Sequence, residues 1–237
     1  MKQEILTQLL DDQTAKRAVA LATDMDSGDQ SLIYRDSAIG PFAENAEILS
    51  AARQAIQDDR SKIYDLSGKR IFVETFNPPL RMLIVGAVHI AQPLSRMASV
   101  AGYDVTVIDP RASFATDERF PGISLNGEWP DDAMRALDPD RRTAVVTLTH
   151  DPKLDDPGLE VALKSDAFYI GALGSRKTHA GRVGRLTEAG FTEAEIGRIH
   201  APVGLNIGSI SPAEIAVSIL AQITEVLHRK IEARAAA

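Results

Sequence analysis

Seven consecutive residues, Gly171-Ala172-Leu173-Gly174-Ser175-Arg176-Lys177, combine two glycines, a serine and two cations. The glycines leave backbone N–H groups open, and Ser175 is placed to cap a following helix. Arg176 and Lys177 put positive charge on the first turn of that helix, where it opposes the helix dipole. Such a start suits a bound anion, a phosphate above all. The plain alternative is a solvated, basic helix start. Thr178, His179 and Arg182 extend the same polar face. A second candidate is Gly86-Ala87-Val88-His89-Ile90-Ala91, with Asp109 about twenty residues further on. It approaches the dinucleotide fingerprint G-x-G-x-x-G/A, but Val88 stands where the second glycine belongs. A Cβ there crowds an approaching phosphate, which weighs against NAD(P). Gly86 then serves either a phosphate-binding turn or a tight turn that only lets the helix pack. His89 sits at the start of that helix. Asp109 can accept from a ribose hydroxyl and Arg111 can hold a phosphate, or the two can pair with each other. His150-Asp151 suggests proton transfer or metal ligation, against a simple hydrogen bond at a loop start. No second histidine follows at i+3 or i+4, so metal-ligand spacing is absent. His200 and Asn206 belong to a loop rich in glycine and proline that could close on the same pocket.

These residues need elements to hold them. Met82-Leu83-Ile84-Val85 reads as a buried parallel strand, and Ile90, Leu94, Met97, Ala98 and Ala101 follow at helical spacing. Gly102 ends that helix, and Val105 to Ile108 makes a second strand. Thr143 to Leu148 and Ala167 to Gly171 read as further strands, with helices over Asp131–Leu137, Leu154–Leu163 and from Ser175 through Leu186. Thr192 and Glu195 form a capping box. Ser211-Pro212-Ala213-Glu214 opens the last helix. Residues 113–130 and 200–208 read as irregular. Strands alternating with helices after Pro79 imply α/β, a doubly wound parallel sheet with helices on both faces. The strand ends at Gly86, Asp109, Thr149 and Gly171 then meet along one edge, where such sheets bind ligands.

Ahead of Asn77-Pro78-Pro79 the pattern differs. A short helix, strand candidates at Ala18–Thr23 and Ser31–Tyr34, an amphipathic helix over Ala43–Ile56 and a hairpin around Ser67-Gly68 describe a small α+β region. The expected domains are therefore residues 1–77 and 80–232. At 237 residues and a net charge of −7, nothing attracts the chain to nucleic acid or anionic membrane. No apolar run approaches a membrane span, and the start of the chain has no apolar signal region, so a cytoplasmic protein is expected. The chain has no cysteine, which removes thiolate ligands and a cysteine nucleophile.

The runs IVGAVHIAQPL, GYDVTVIDPRASFAT, VVTLTHDPKLD, AFYIGALGSRKTHAGRVGRL and IHAPVGLNIGSISPAEIAVSILAQI resemble the XdhC/CoxI family over about residues 80 to 228. These are accessory proteins of molybdenum hydroxylases such as xanthine and carbon monoxide dehydrogenase. The resemblance implies a Rossmann-like domain, often dimeric. It also implies a chaperone-like role in binding the molybdenum cofactor (molybdopterin) and helping its maturation and insertion into a hydroxylase apoenzyme. It points to an accessory protein rather than an enzyme, or to an oxidoreductase if an enzyme. Carried onto this chain, Ser175, Arg176 and Lys177 after Gly174 would hold the phosphate. Gly86, His89, Asp109 and Arg111 would line the pocket, with His150 and His200 nearby, and no metal ligand is assigned. The chain departs from the family's GAGHVA turn at Val88, and it lacks the cysteine that longer members carry ahead of this domain. Two other readings stay open: an NAD(P)-dependent oxidoreductase using the same pocket, and a partner-binding scaffold without catalysis.

Overall fold

The structure, a computed structural model, describes residues 2–66 and 68–235, with side chains through Arg229. Met1, Ser67 (half of the hairpin turn expected at Ser67-Gly68) and the last two alanines lie outside the described residues. The chain divides at Pro78–Pro79 into two compact units, the second running from Pro79 to Glu232.

The first unit carries α1 (Gln3–Thr14), β1 (Val19–Asp24), β2 (Gln30–Ile33), β3 (Ala38–Ile39), α2 (Ala46–Asp58), β4 (Lys62–Leu66) and β5 (Lys69–Phe76). The strands form an antiparallel sheet in the order β3-β2-β1-β5-β4. Side chains alternate across a strand, so β1 serves two cores. Val19 and Leu21 pack with Ile5 and Leu9 of α1, while Ala20 and Ala22 pack with Ile48, Ala52 and Ala55 of α2. The two-residue strand β3 has no sequence pattern of its own.

The second unit begins with β6 (Arg81–Val85), α3 (Ala91–Val100) and β7 (Asp104–Ile108). It continues through β8 (Ser124–Asn126), α4 (Pro130–Leu137), β9 (Thr143–Thr147), α5 (Pro152–Lys164) and β10 (Tyr169–Ala172). It ends with α6 (Arg176–Glu188), α7 (Glu193–Ile196), β11 (Ile199–His200) and α8 (Pro212–Ala235). All six strands are parallel, in the order β11-β10-β9-β6-β7-β8. From β6 the chain runs outward through β7 and β8, then returns to the other side of β6 for β9, β10 and β11. That is the doubly wound nucleotide-binding order, with its switch point between β6 and β9. Two stretches read as irregular contain the edge strands: β8 lies within residues 113–130 and β11 opens the 200–208 loop. Ser-Leu-Asn and Ile-His are too short to show an apolar period.

Met82 and Ile84 face α3 and α8, whereas Leu83 and Val85 face α4 and α5. A strand covered on both faces must be apolar wherever it is fully buried, and β6 is so from Met82 to Val85. The capping boxes form as read: Thr192 accepts from the Glu195 N–H at 3.3 Å while the Glu195 carboxylate accepts from the Thr192 N–H at 2.8 Å. Ser211 and Glu214 repeat the exchange at the start of α8. On α8, Ala216, Ile219 and Ile223 are fully buried, but Val217 is 47% exposed. Ile219→Ala should therefore lower the unfolding free energy by about 2–5 kcal/mol, and Val217→Ala by under about 0.5 kcal/mol. Denaturant unfolding of the two variants measures the contrast; equal losses would place α8 in the wrong rotation.

Candidate functional site

The carboxyl ends of the parallel strands bring together the turn after β6, Asp109 and Arg111 after β7, Thr149 to Asp151 after β9, and Leu173 to Lys177 after β10. Two buried aspartates organise this edge.

Asp109 is the first. Its Oδ2 accepts the Ala87 N–H at 2.8 Å and the Arg111 Nη2 at 2.7 Å; its Oδ1 accepts the Arg111 Nε at 2.8 Å and the Arg111 backbone N–H at 3.0 Å. This is a side-on fork of the kind arginine makes with carboxylate. Burial pushes the acid's pKa up, but the Arg111 fork and the two backbone donors outweigh it, and the net shift is downward. The acid that a dinucleotide ribose would need is thus engaged within the fold. Arg111 also lies over the Phe114 ring at 4.3 Å.

Gly86 is buried at φ 106°, and a Cβ there would run into the Thr149 Cγ2 methyl. The turn is tight because the β9 loop crosses it at the switch point. His89 is exposed at the turn that leads into α3.

Asp155, on the first turn of α5, is the second aspartate. It is 1% exposed. Its carboxylate accepts the Thr149 N–H at 3.2 Å, the Thr149 hydroxyl at 2.7 Å and the His150 N–H at 3.1 Å. These bonds hold His150 at φ 64°, a left-handed conformation uncommon outside glycine. Burial pushes the Asp155 pKa up, against the donors and Arg182. Asp151 caps α5 by accepting the Lys153 N–H at 3.0 Å. His150 itself is exposed and borders a cleft between α5 and α6. Among the described residues no group of three or more histidines and acids could hold a metal ion.

Across the cleft, Ser175 caps α6 by accepting the Thr178 N–H at 3.1 Å. Gly174 sits at φ 140°, and a Cβ there would meet the Thr178 side chain at 3.0 Å. Arg176 and Lys177 are exposed, and the first turn of α6 holds no acid. One turn on, Arg182 is 2% exposed. Its Nη2 reaches the Leu173 carbonyl at 3.1 Å and the Asp155 carboxylate at 3.6 Å, and its Nε and Nη1 have no partner. Burial pulls the guanidinium pKa down, partly offset by Asp155 and Asp156. Burial and the Arg182 charge likewise lower His179, whose Nδ1 is buried without a partner. Arg185 pairs with Asp156, its Nη2 at 3.1 Å. His200, on β11, registers with Gly171 and stacks on the Tyr169 ring at 4.7 Å.

Sequence reasoning placed Thr149 at this edge but missed Asp155, Asp156 and Arg185. Asp155 and Asp156 are adjacent, alike on paper, yet one is a buried hub and the other a helix-surface partner. The spacing of Arg182 and Arg185, three apart on α6 and facing two aspartates on α5, was the only signal available.

Two outcomes follow from this geometry. Gly86→Ala should cost about 1–3 kcal/mol through its positive φ and the methyl collision. Adding Thr149→Ser, which removes the methyl and keeps the hydroxyl, should return part of that loss in a double-mutant cycle read by denaturant unfolding. For Asp109, a depressed folded-state pKa means stability fully present above the ordinary carboxylate range and lost as pH falls through the folded value. The unfolding free energy should therefore fall less steeply on acidification below about pH 4 in Asp109→Asn than in the parent; parallel curves would remove the ion pair from the account.

Comparison with known proteins agrees with this fold. The XdhC Rossmann domain model matches residues 82–223. An Escherichia coli (strain K12) protein described as the molybdenum cofactor insertion chaperone PaoD is 33% identical over 156 residues, covering 65% of this chain and 43% of that protein. A Bacillus subtilis (strain 168) protein described as a probable xanthine dehydrogenase subunit is 30% identical over 160 residues, covering 67% and 46%. The uncharacterised E. coli protein YqeB is 28% identical over 220 residues, covering 83% and 40%. The chain thus spans less than half the length of these relatives. A crystal structure described as a xanthine dehydrogenase from Bacillus halodurans superposes with a TM-score of 0.76 at 24% identity, covering 97% of this chain and 68% of that one, and shares the fold. Strand order, switch-point turn and family match converge, and the chain belongs to the XdhC Rossmann-domain family.

Proposed function

We propose that this chain is an accessory protein of a molybdenum hydroxylase, binding the molybdenum cofactor and assisting its maturation and insertion into the apoenzyme. One observation carries the reading: the α6 start, capped by Ser175 and opening with Arg176, puts Lys177 and Thr178 on the lining of a cleft that a buried arginine also borders, while the ribose-type acid of an ordinary dinucleotide site is engaged by Arg111. Cations at a helix N-terminus oppose the dipole, a cost of a few tenths to about 1 kcal/mol each that a bound phosphate reverses. The chaperone name of the E. coli relative supports the same direction.

The residues fit the anionic end of such a cofactor and not its metal. They offer cations, hydroxyls and backbone N–H groups, and the chain has no cysteine. In this reading Ser175, Arg176 and Lys177, following Gly174, hold the phosphate. Gly86, His89, Asp109 and Arg111 form the neighbouring wall, with His150 at the cleft mouth and His200 on the next strand. The cofactor supplies redox chemistry only once seated in the hydroxylase. This chain binds, orients and releases, and sulfur chemistry comes from a partner.

The test is co-expression with a xanthine dehydrogenase-type apoenzyme, alongside titration with isolated molybdenum cofactor. Saturable cofactor binding and a rise in hydroxylase activity are expected. No binding together with no capture of the hydroxylase would sink the reading. NADH and NADPH titrations should show no saturable fluorescence change, and saturation in either would favour a nucleotide-dependent oxidoreductase.

A further inference from the structure

We infer that the cleft between α5 and α6 is a phosphate-monoester site, with Arg182 as its inner cation and Lys177 as its outer one. The inference deepens the reading above, on which it rests for the ligand's identity but not for the site.

The cleft is bordered by His150, Asp155, Lys177, Thr178, Arg182 and Arg185, and encloses about 270 Å³. That falls just short of the roughly 300–1,000 Å³ of a site for a whole drug-sized ligand. It suits one charged group, the rest of the molecule lying outside. Arg182 forms its buried wall. Leaving two guanidinium donors there without acceptors is unusual, since a buried unsatisfied donor costs about 1–3 kcal/mol and native folds keep few of them. An oxyanion seated at the inner end of the cleft, once the Arg182 side chain turns toward it, would supply acceptors for them.

The two carboxylates at the cleft do not repel it as free charges. Asp155 is neutralised by Arg182 and bound by three donors from Thr149 and His150. Asp156 is forked by Arg185. Lys177 has no acidic partner among the described residues, so the cleft carries an excess positive charge. Donors come from three directions: Arg182 behind, the Lys177 ammonium at the mouth, and the Thr178 hydroxyl, which shares a hydrogen bond with Ser175 at 3.0 Å. A tetrahedral phosphate with three acceptor oxygens meets three directions better than a planar carboxylate does. The helix N-terminus adds its field, but the buried arginine is what sets this site apart.

The test uses the full chain and inorganic phosphate, followed by calorimetry and phosphorus NMR, with isolated molybdenum cofactor as the second probe. Saturable phosphate binding is expected, weakened at least tenfold in Arg182→Gln and about threefold to tenfold in the exposed Lys177→Ala. Circular dichroism checks that each variant is folded; if Arg182→Gln is not, Arg182→Lys and Lys177→Ala decide. No saturable phosphate binding by the parent, or unchanged binding in the folded variants, overturns the inference. Phosphate that competes with the cofactor identifies the cofactor's own phosphate as the occupant. Phosphate binding that persists without any cofactor binding or hydroxylase activation keeps the site and rejects the accessory reading.

Discussion

A buried carboxylate must be surrounded by donors, and this fold uses that requirement twice along one sheet edge. Asp109 collects the N–H of the turn after β6 and the backbone and side chain of Arg111 after β7. Asp155 collects the N–H groups of Thr149 and His150 after β9 and faces Arg182 from α6. Parallel strands end in loops whose amide groups have lost their ladder partners, and an acid at each place gathers them. Between the two acids, Gly86 and Thr149 touch at the switch point. Near β6 and β7 this edge is tied together by the bonds to Asp109. Its free cations are displaced toward β10 and α6.

The central architecture was legible because burial on both faces leaves little alternative to apolar or β-branched residues: Met82 to Val85 and Thr143 to Thr147 announce themselves. Helix starts were legible where a side chain must satisfy a free N–H, as at Ser175, Thr192 and Ser211. The outer strands were not. β8 and β11 exist because a neighbouring strand offers them hydrogen bonds, and that information resides in the partner rather than in Ser124-Leu125-Asn126 or Ile199-His200. Within the site, glycines, caps and exposed cations could be read locally. The roles of Asp155 and Arg182 could not, because nothing local separates Asp155 from Asp156. Only the rotation of α5 against the sheet, set by Leu154, Leu159, Ala162 and Leu163, decides which one is inside.

The same logic clarifies Val88. Taken with the sequence alone it looks like damage to a nucleotide-binding turn. In the fold it is partly buried against the α3–α8 core cluster. Its neighbour Ala87 has its N–H committed to Asp109, and Gly86 is committed to Thr149. A glycine at 88 would still leave a turn whose donors and close approaches are used within the protein. The turn is a joint between strands, and the exposed Arg176 and Lys177 stand at the start of α6 instead.

The two rims of the parallel sheet are β8 and β11, of three and two residues. A rim that short offers little template for another chain to extend the sheet. Any lasting association of this unit with a larger enzyme must therefore run through helix faces and the loops at the strand ends.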